Sequence, residues 1–312
     1  MALVLPSHPQ VLVSPLLLRS VLGLAAGGKL LVVSVDGSPW FSVLEMLEVL
    51  KQKGHEIVVV APEANLNVKP SESFILKTYP ASFTQEEMDD NFQAFLKDAF
   101  EEGSFLEQFH RLQEKVKRLF DVGFISCAWL LKNKELIRYL EESNFDALFT
   151  DPVFPCGAIL AEHLSIPSVY FMRLIPCGLD SEATQCPSPP SYIPRAFSDL
   201  TDHMNFLQRV KNVIFDTSNL FLCDFIFKPY EKLASEFLQR DVTVIDLLRK
   251  ASVWLLRYDF VLDYPRPLMP NMIVVGGVNC AHKQLPQVGR AQFLILILTD
   301  FCAPKNVISF IR

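Results

Sequence analysis

Hydrophobic residues near the start of the chain form two short continuous runs with a helical stripe between them. The runs Lys29–Val35 and His55–Ala61 are apolar and rich in β-branched residues, which is typical of strands buried on both faces of a sheet. The apolar residues between them recur at the spacing of one helix face: Trp40, Val43, Leu44, Leu47 and Leu50. A strand, a helix and a strand with short joints predict a βαβ unit, which implies a parallel sheet.

The residues at the two ends of this stripe predict where the helix begins and ends. Ser38 is of a type that caps helix N-termini, and Pro39 suits the first helical position. Gly54 stands where a glycine commonly terminates a helix. The sequence therefore predicts a helix that Ser38 caps and that ends just before Gly54.

The same alternation extends over most of the chain. Further strands are predicted at Phe74–Thr78, Ala147–Thr150, Ser168–Phe171, Val253–Arg257 and Ile273–Gly276. Further helices are predicted at Thr84–Glu102, Cys156–Leu164, Asp199–Phe215 and Lys228–Gln239, and another carries an apolar face of Phe105, Phe109, Leu112, Val116, Leu119 and Phe120. Strands that alternate with helices predict an α/β domain of Rossmann-like type.

Composition and charge exclude several classes of protein. The chain has 312 residues, of which 50% are hydrophobic and 21% charged, so it is globular rather than disordered. A formal net charge of -6 provides no basic footprint for nucleic acid. The histidines and cysteines show no CxxC, HxxxH or HExxH spacing, so no metal site is predicted.

Both ends of the chain differ from its middle. Residues 1–28 are predicted to be a signal peptide, because Val11–Ala26 is mostly apolar and ends in small residues. A buried N-terminal helix is the alternative, and the run is too short for a spanning helix. Residues 29–287 form the predicted domain. Residues 288–312 form a divergent tail, whose apolar block either packs as a strand or is an aggregation-prone segment.

The seven cysteines are an odd number, so at least one is free or pairs between chains in an oxidising compartment. Cys177 and Cys186 flank a loop rich in small and polar residues, which makes them candidates for a disulfide. Sequence separation does not fix the Cα distance that a disulfide needs, so the bridge and its absence both remain open.

Seven segments carry a more specific signal: VDGSPW (Val35–Trp40), KGHEIVVVAPE (Lys53–Glu63), FDALFTDP (Phe145–Pro152), SYIPR (Ser191–Arg195), DHMNFLQRVKN (Asp202–Asn212), SVWLLRYDFVLDYPRPLMPNM (Ser252–Met272) and VGGVNC (Val275–Cys280). Together, and in this order, they resemble the N-terminal domain of family 1 UDP-glucuronosyltransferases. The resemblance covers about Lys29 to Gln287.

The resemblance implies both a fold and a reaction. Members of this family are lumenal enzymes of the endoplasmic reticulum with a two-domain glycosyltransferase B fold, in which the N-terminal domain binds a small lipophilic acceptor. The C-terminal domain binds the donor, UDP-glucuronic acid. The family's HxGxxS donor signature does not occur in these 312 residues. The expected structure is therefore the Rossmann-like N-terminal domain with the C-terminal domain missing, and the chain alone is expected to bind no cofactor and to be inactive.

Position 39 differs from the family pattern at the residue that would act as the general base. Transfer to a phenol or alcohol needs a general base, which in the resembling family is a histidine immediately before a tryptophan. Here that position is Pro39, before Trp40, so the base is missing. A tertiary amine attacks without losing a proton, so a domain with Pro39 is expected to favour N-glucuronidation over O-glucuronidation once it is given a donor domain. The alternative is that Pro39 only organises the start of the helix.

The carboxylate partner of that base is matched by Asp151 in the FTDP segment. Asp151 follows a predicted strand, where open α/β sheets place their sites. With no histidine to orient, it is expected to face a cationic acceptor or, as the alternative, to cap the helix near Pro155.

Four residues are expected to line the acceptor site: Asp36, Ser38, Trp40 and Phe154. A turn-forming role for Asp36 and Ser38 is the alternative. The walls around Trp40 and Phe154 are expected to be exposed, because the family's C-terminal half would cover them. Lone histidines at 55, 163 and 203 are interpreted as structural or surface residues.

Three interpretations of the whole chain follow from the resemblance. It is the acceptor half of a glucuronosyltransferase, a non-catalytic isoform that associates with full-length relatives and inhibits them, or a fragment that does not fold. The expected location is the lumen of the endoplasmic reticulum, with membrane association that is peripheral at most. Homo-oligomers or hetero-oligomers with full-length relatives are the expected protein assemblies.

Overall fold

The computed structural model describes residues 27–90, 105–173, 175–195, 198, 200–258 and 263–278. The strands of this part of the chain are β1 (Lys29–Val33), β2 (Glu56–Pro62), β3 (Ile75–Tyr79), β4 (Ala147–Thr150), β5 (Ser168–Met172), β6 (Val253–Leu256) and β7 (Met272–Val274). They form one sheet in the order β3-β2-β1-β4-β5-β6-β7, and every neighbouring pair is parallel. The predicted α/β fold with a parallel sheet is confirmed.

Helices cover both faces of this sheet. They are α1 (Ser38–Gln52), α2 (Phe105–Lys132), α3 (Lys134–Glu142), α4 (Cys156–Leu164), α5 (Leu179–Thr184), α6 (Phe206–Leu238) and α7 (Val244–Leu248). Alternate residues of β1 enter two separate cores. Leu31 and Val33 pack with residues of the helices from α2 onward, whereas Val32 packs with the apolar stripe of α1. This two-sided burial explains why the strand sequences are continuously apolar.

Each predicted strand is present; Ala147–Thr150 has the predicted bounds, and at least one bound of every other strand shifts by one or two residues. The first strand ends at Val33 rather than Val35, because the pairing with β4 stops where Val33 meets Thr150. Boundaries depend on these cross-strand hydrogen bonds, which the hydrophobic pattern does not record. The predicted βαβ unit of β1, α1 and β2 is present.

The start of α1 differs from the prediction by one residue. Gly37 occupies the N-cap position with φ of 91°, and Ser38 is already the first helical residue. The prediction that Ser38 caps this helix is therefore wrong. A left-handed backbone favours glycine, so Gly37 makes the turn from β1 into the helix. Gly54, also with φ of 91°, follows the helix end as predicted.

The prediction of two helices at Asp199–Phe215 and Lys228–Gln239 is wrong. One helix, α6, runs from Phe206 to Leu238 and contains Pro229. It begins at Phe206 because the Asn205 side chain accepts a hydrogen bond from the Gln208 N–H at 3.0 Å and Gln208 Oε1 accepts one from the Asn205 N–H at 2.9 Å. This capping box separates the preceding loop, which contains His203, from the helix.

Two further helices match their predictions in part. The acidic helix begins at residue 85 after the Thr84 cap, and its remainder lies outside the described residues. In α2, Val116 and Phe120 are buried as predicted, but Leu119 is 43% exposed, so its assignment to the apolar face is wrong. The side chains of Phe105, Phe109 and Leu112 lie outside the described part of the structure.

The cysteines pair differently from the candidate bridge. Cys127 bonds to Cys156 and Cys177 bonds to Cys223, with Cα–Cα distances of 5.5 Å and 6.1 Å. Cys186 is buried with a free thiol, so the bridge between Cys177 and Cys186 is wrong. The two disulfides fasten α2 to α4 and the segment after β5 to α6, which are contacts between elements distant in sequence.

Among the described residues, no helix combines the length and apolar character needed to cross a bilayer. Residues 1–26 and 279–312 lie outside the described part of the chain, and with them all but the last two residues of the predicted signal peptide and the whole of the predicted tail.

The contact between α4 and β4 is tight enough to predict the effect of one methyl group. A Cβ at Gly157 would lie 2.5 Å from Thr150 Cγ2 and 2.6 Å from Thr150 Oγ1. Alanine normally favours a helix over glycine by about 1 kcal/mol. We nevertheless expect Gly157→Ala to lower the free energy of unfolding by roughly 1–3 kcal/mol, because overpacking a buried contact displaces β4.

Urea unfolding followed by circular dichroism measures this change. Gly276→Ala is the matched control, because its Cβ would come no closer than 3.4 Å to the Tyr258 carbonyl oxygen. Equal stability of the Gly157→Ala variant and the parent would contradict the packing.

Candidate active site

The candidate site lies where the strand order reverses. From β1 the chain proceeds to β2 and β3 on one side, then returns to β4 on the other side of β1. The loops that leave β1 and β4 at their carboxyl ends therefore diverge and leave a crevice between them. Open α/β sheets bind ligands in such a crevice, at the switch point of the topology.

The register of the sheet places Asp151 at this crevice. Val33 pairs with Thr150, the last residues of β1 and β4, and the Thr150 hydroxyl donates to the Val33 carbonyl oxygen at 3.0 Å. Asp151 is the next residue of the chain. The loop from β1 to α1 leaves the adjacent strand at the same edge of the sheet, and Pro39 lies in the first turn of α1 directly after it. Asp151 and Pro39 thus follow the carboxyl ends of neighbouring strands.

The carboxyl of Asp151 stabilises a turn rather than a helix. Its Oδ1 accepts a hydrogen bond from the Val153 N–H at 2.9 Å, whereas Pro155 holds the N-cap position of α4. The alternative in which Asp151 caps this helix is therefore wrong. Asp151 is partly buried, and loss of solvation raises the pKa of its carboxyl to about 7. The Val153 hydrogen bond and the positive charge of Arg257 both oppose that rise.

Arg257 is a residue of this site that the sequence reasoning missed. It directly follows β6, so it lies at the same carboxyl edge of the sheet, and its N–H donates to the Met172 carbonyl oxygen at 2.7 Å. Its charge acts on Asp151 across β5. The signal that would have found it is its position as the first charged residue after a buried strand.

A buried ion pair holds the loop that follows Arg257. The Arg266 guanidinium contacts Asp180 Oδ2 at 2.9 Å and lies 4.7 Å from the centre of the Tyr258 ring. Burial raises the pKa of Tyr258 to about 12, which keeps its hydroxyl protonated near neutral pH. Because Tyr258 follows Arg257 directly, this contact restricts where the Arg257 backbone can lie.

The loop that leads from β1 to Pro39 is fixed by Asp36. One carboxyl oxygen accepts from the Gly37 N–H at 2.7 Å and from Asn67 Nδ2 at 2.8 Å, and the other accepts from the Leu66 N–H at 2.5 Å. These bonds tie the loop after β1 to the loop after β2. Pro39 itself is half-buried in the first turn of α1. The structure thus gives Asp36 a structural role, which agrees with the turn-forming alternative.

The expectation of an exposed apolar wall holds only in part. Trp40 is 1% exposed and packs edge-to-face on Phe74, with ring centres 5.7 Å apart, so its expected exposure is wrong. Phe154 is half-buried, and its ring centre lies 5.3 Å from that of Phe120. Gly123 of α2 makes room for Phe154, because a Cβ there would lie 2.4 Å from the ring. Phe154 keeps a surface available to a ligand, whereas Trp40 does not.

The lone histidines lie away from this crevice. His55 Nδ1 accepts from the Gly28 N–H at 3.0 Å, at the opposite end of the strands. His163 Nε2 lies 2.7 Å from Glu141 Oε1, and His203 is exposed in the loop before α6. Within the described ranges, no group of three or more His, Cys, Asp or Glu side chains is arranged to hold a metal ion.

A cavity of about 590 Å³ opens beside the end of β3, two strands away from β1 in the sheet. Its lining combines apolar and polar side chains: Pro80, Ser82, Phe124, Ile125, Ala128, Trp129, Lys132 and Asn133. Neither Pro39 nor Asp151 belongs to this lining, so the cavity is separate from the switch-point crevice.

Comparison with known proteins gives three kinds of match. The family described as "UDP-glucoronosyl and UDP-glucosyl transferase" matches residues 28–292. UDP-glucuronosyltransferase 1A1 of Homo sapiens is 51% identical over 86% of this chain and 50% of its own length. The Rattus norvegicus protein of the same name is 48% identical over 91% of this chain and 54% of its own. The chain therefore spans about half the length of the curated relatives it matches.

Solved structures match at lower similarity. The kitacinnamycin glycosyltransferase is 14% identical with a TM-score of 0.46, over 84% of this chain and 54% of its own. A UDP-glucosyltransferase from Polygonum tinctorium is 14% identical with a TM-score of 0.42, over 87% of this chain and 57% of its own.

The raised pKa of Asp151 predicts how stability depends on pH. Since the folded-state pKa is about 7 and the ordinary value is 3.8, the folded protein holds this proton more tightly than the unfolded chain. Ionisation of Asp151 therefore lowers the free energy of unfolding as the pH rises from the ordinary value to about 7. We expect Asp151→Asn, which keeps the acceptor for the Val153 N–H, to stabilise the protein at pH 8 by roughly 1–3 kcal/mol and to change little near pH 4.

Urea unfolding at a series of pH values measures this effect. Asp241→Asn is the matched control, because Asp241 is exposed. If the free energies of unfolding of the Asp151→Asn variant and the parent differed by the same amount at every pH, the result would contradict a raised pKa for Asp151 in the folded protein.

Proposed function

The chain belongs to the UDP-glucoronosyl and UDP-glucosyl transferase family, and we propose that it is the acceptor-binding half of a UDP-glucuronosyltransferase. The observation that carries the proposal is the position of Asp151, a carboxyl of raised pKa that follows β4 at the switch point, while Pro39 follows the neighbouring strand β1 in the first turn of α1. The proposed reaction is transfer of glucuronic acid from UDP-glucuronate to a small lipophilic acceptor. The donor would be held by a second half, because the chain spans only half of its relatives.

The proposed acceptor class is tertiary amines. For a phenol, attack on the anomeric carbon needs removal of the hydroxyl proton, and a side-chain base supplies this step. Pro39 has no ionisable group, so no base stands at this position. A tertiary amine attacks with its lone pair, the bond from the anomeric carbon to UDP breaks, and UDP leaves with that electron pair. The product is a quaternary ammonium glucuronide, and no proton is transferred.

Asp151 would assist this reaction electrostatically. The nitrogen acquires positive charge as the bond to the sugar forms, and a nearby carboxylate stabilises that charge in the transition state. With a pKa of about 7, Asp151 is ionised in an increasing fraction of molecules as the pH rises through neutrality. The acceptor amine must also be unprotonated, so both requirements favour turnover above pH 7.

The other residues expected at the acceptor site would have different roles, which follow from their contacts. Phe154 would provide an apolar contact for the acceptor, because it is only half-buried and lies three residues after Asp151. Asp36 would act by holding the loop, since its carboxylate already accepts hydrogen bonds from the loops on both sides. Ser38 begins α1 next to Pro39, and its side chain lies outside the described part of the structure. Trp40 would support the loop from the core.

The proposed location is the lumen of the endoplasmic reticulum. Two disulfides between sequence-distant elements favour an oxidising compartment, since cytosolic thiols are kept reduced. The alternative function is a non-catalytic isoform that associates with full-length relatives and lowers their activity. Co-purification of the chain with such a relative, followed by loss of the relative's turnover, would favour this alternative.

The donor half is expected to be necessary for binding UDP-glucuronic acid. Isothermal titration of the chain with UDP-glucuronic acid should give no heat of binding, because the sequence lacks the family's donor signature. Binding at micromolar affinity would contradict the proposal that a second half holds the donor.

The effect of Pro39 is tested in a fusion of residues 29–287 to a working donor half from a relative. We expect Pro39→His to raise phenol turnover by roughly 10²- to 10⁴-fold, since this is the usual contribution of a general base. Turnover of a tertiary amine should change little, because its attack releases no proton. Initial rates for both acceptors measure the two effects.

Pro39→Ala separates the missing base from the rigidity of proline. Alanine has no base but relaxes the first turn of α1, so phenol turnover in this control should stay at the parent level. Phenol turnover that is unchanged in the Pro39→His variant would refute the missing-base argument.

A further inference from the structure

The first half of α6 presents an apolar surface that no other described element covers. Five of its side chains are exposed: Phe206 at 77%, Leu207 at 75%, Val210 at 41%, Val213 at 47% and Ile214 at 59%. We call these five residues the α6 stripe. At about 100° per residue they fall within a sector of about 120° of the helix circumference. Exposed apolar groups this concentrated mark an interaction surface rather than scattered surface residues.

The opposite side of the same helix is firmly attached to the protein. Asn212 is fully buried, its Nδ2 donates to the carbonyl oxygens of Pro190 and Ile193, both at 2.8 Å, and its Oδ1 accepts from the Arg195 N–H at 2.8 Å. Phe215 is buried as well. The stripe therefore faces outward because the helix is fixed in rotation, and the Asn205 capping box forms its first turn.

Positive charges border the stripe on both sides. Arg209 and Lys211 each lie about 40° beyond one edge of the apolar sector at helical spacing. The neighbouring carboxylate, Asp216, is paired with Arg195 at 2.5 Å. Two basic side chains therefore border the stripe, although the whole chain has a net charge of -6. The stripe ends before Asp224, an exposed acid on the same side of the helix.

We propose that the α6 stripe rests on the surface of a phospholipid bilayer, with Phe206 and Leu207 inserted among the acyl chains and Arg209 and Lys211 at the phosphates. An apolar face bordered by basic residues is the arrangement of helices that lie in the membrane interface. The long side chains of arginine and lysine reach from the edge of an apolar face to the headgroups. Anionic lipids strengthen the contact through these two charges.

A second copy of the chain fits this surface less well. A two-fold contact along the stripe would place Arg209 and Lys211 of one copy near the same residues of the other, and like charges repel. The stripe is also short, since nine helical residues extend roughly 13 Å. A stable protein interface buries about 800 Å² per partner, which is more than one such stripe offers.

The test is flotation of the full chain with vesicles of phosphatidylcholine, alone or with added phosphatidylserine. We expect the parent to bind both, and the mixed vesicles more tightly. The triple variant Phe206→Ser, Leu207→Ser, Ile214→Ser should lose at least about ten-fold in binding, because it removes most of the inserted apolar area. Thermal melts of each variant check that the fold is retained.

Two further variants separate the apolar contribution of the α6 stripe from that of other exposed apolar residues and from that of the basic residues. Val49→Ser with Ile75→Ser is the matched control, since these side chains are 44% and 47% exposed elsewhere on the surface, and it should bind as the parent does. Arg209→Gln with Lys211→Gln should weaken binding to the mixed vesicles roughly ten- to thirty-fold and leave binding to phosphatidylcholine unchanged.

Any one of three results would overturn the proposal: the parent binds neither vesicle type, the triple variant floats as well as the parent, or the control variant loses as much binding as the triple variant. A parent that is dimeric without lipid, together with a monomeric triple variant, would assign the stripe to a second copy instead.

Discussion

The pairing of β1 with β2 on one side and with β4 on the other is the constraint on which the rest of this structure depends. After β1 the chain forms β2 and β3 on one side of it and then crosses to form β4 on the other side, which opens the crevice at the carboxyl edge. The hydrogen bond from Thr150 to Val33 and the close contact of Gly157 with Thr150 fix the strands at that edge. Asp151 follows directly, so its position relative to the loop between β1 and α1 is set by the sheet register.

Much of this sheet could be predicted from the sequence, because a strand buried on both faces leaves a continuous apolar run. The runs at β1, β2 and β4 identified a parallel sheet, and the position of Asp151 after β4 placed a carboxyl at the switch point. The helices were less predictable. The long helix α6 passes through Pro229 because Phe227 and Tyr230 are buried on either side, and this tertiary packing outweighs the local cost of a proline.

The site was predicted only in outline, for reasons that are physical. Trp40 stands next to the position of the missing base in the family pattern, but it belongs to the apolar face of α1 and is buried in the core. Arg257 acts on Asp151 from two strands away, and sequence distance hides such a contact. The disulfides likewise depend on which elements meet in space. Cys177 bonds to Cys223 of α6 rather than to Cys186, which lies nearer along the chain. The helix that brings Cys223 close was itself predicted with the wrong bounds.

The four hydrogen bonds to Asp36 have a consequence for how such a site changes over evolutionary time. The donors are residues 37, 66 and 67, which join the loop after β1 to the loop after β2, and none of these bonds involves the side chain at position 39. The frame of the loop and the group it presents are therefore encoded by separate residues. A single codon change at position 39 alters the acid–base character of the crevice while the frame persists. Gene duplicates that share this scaffold can therefore differ in the chemistry of the crevice while the loop after β1 keeps these four hydrogen bonds.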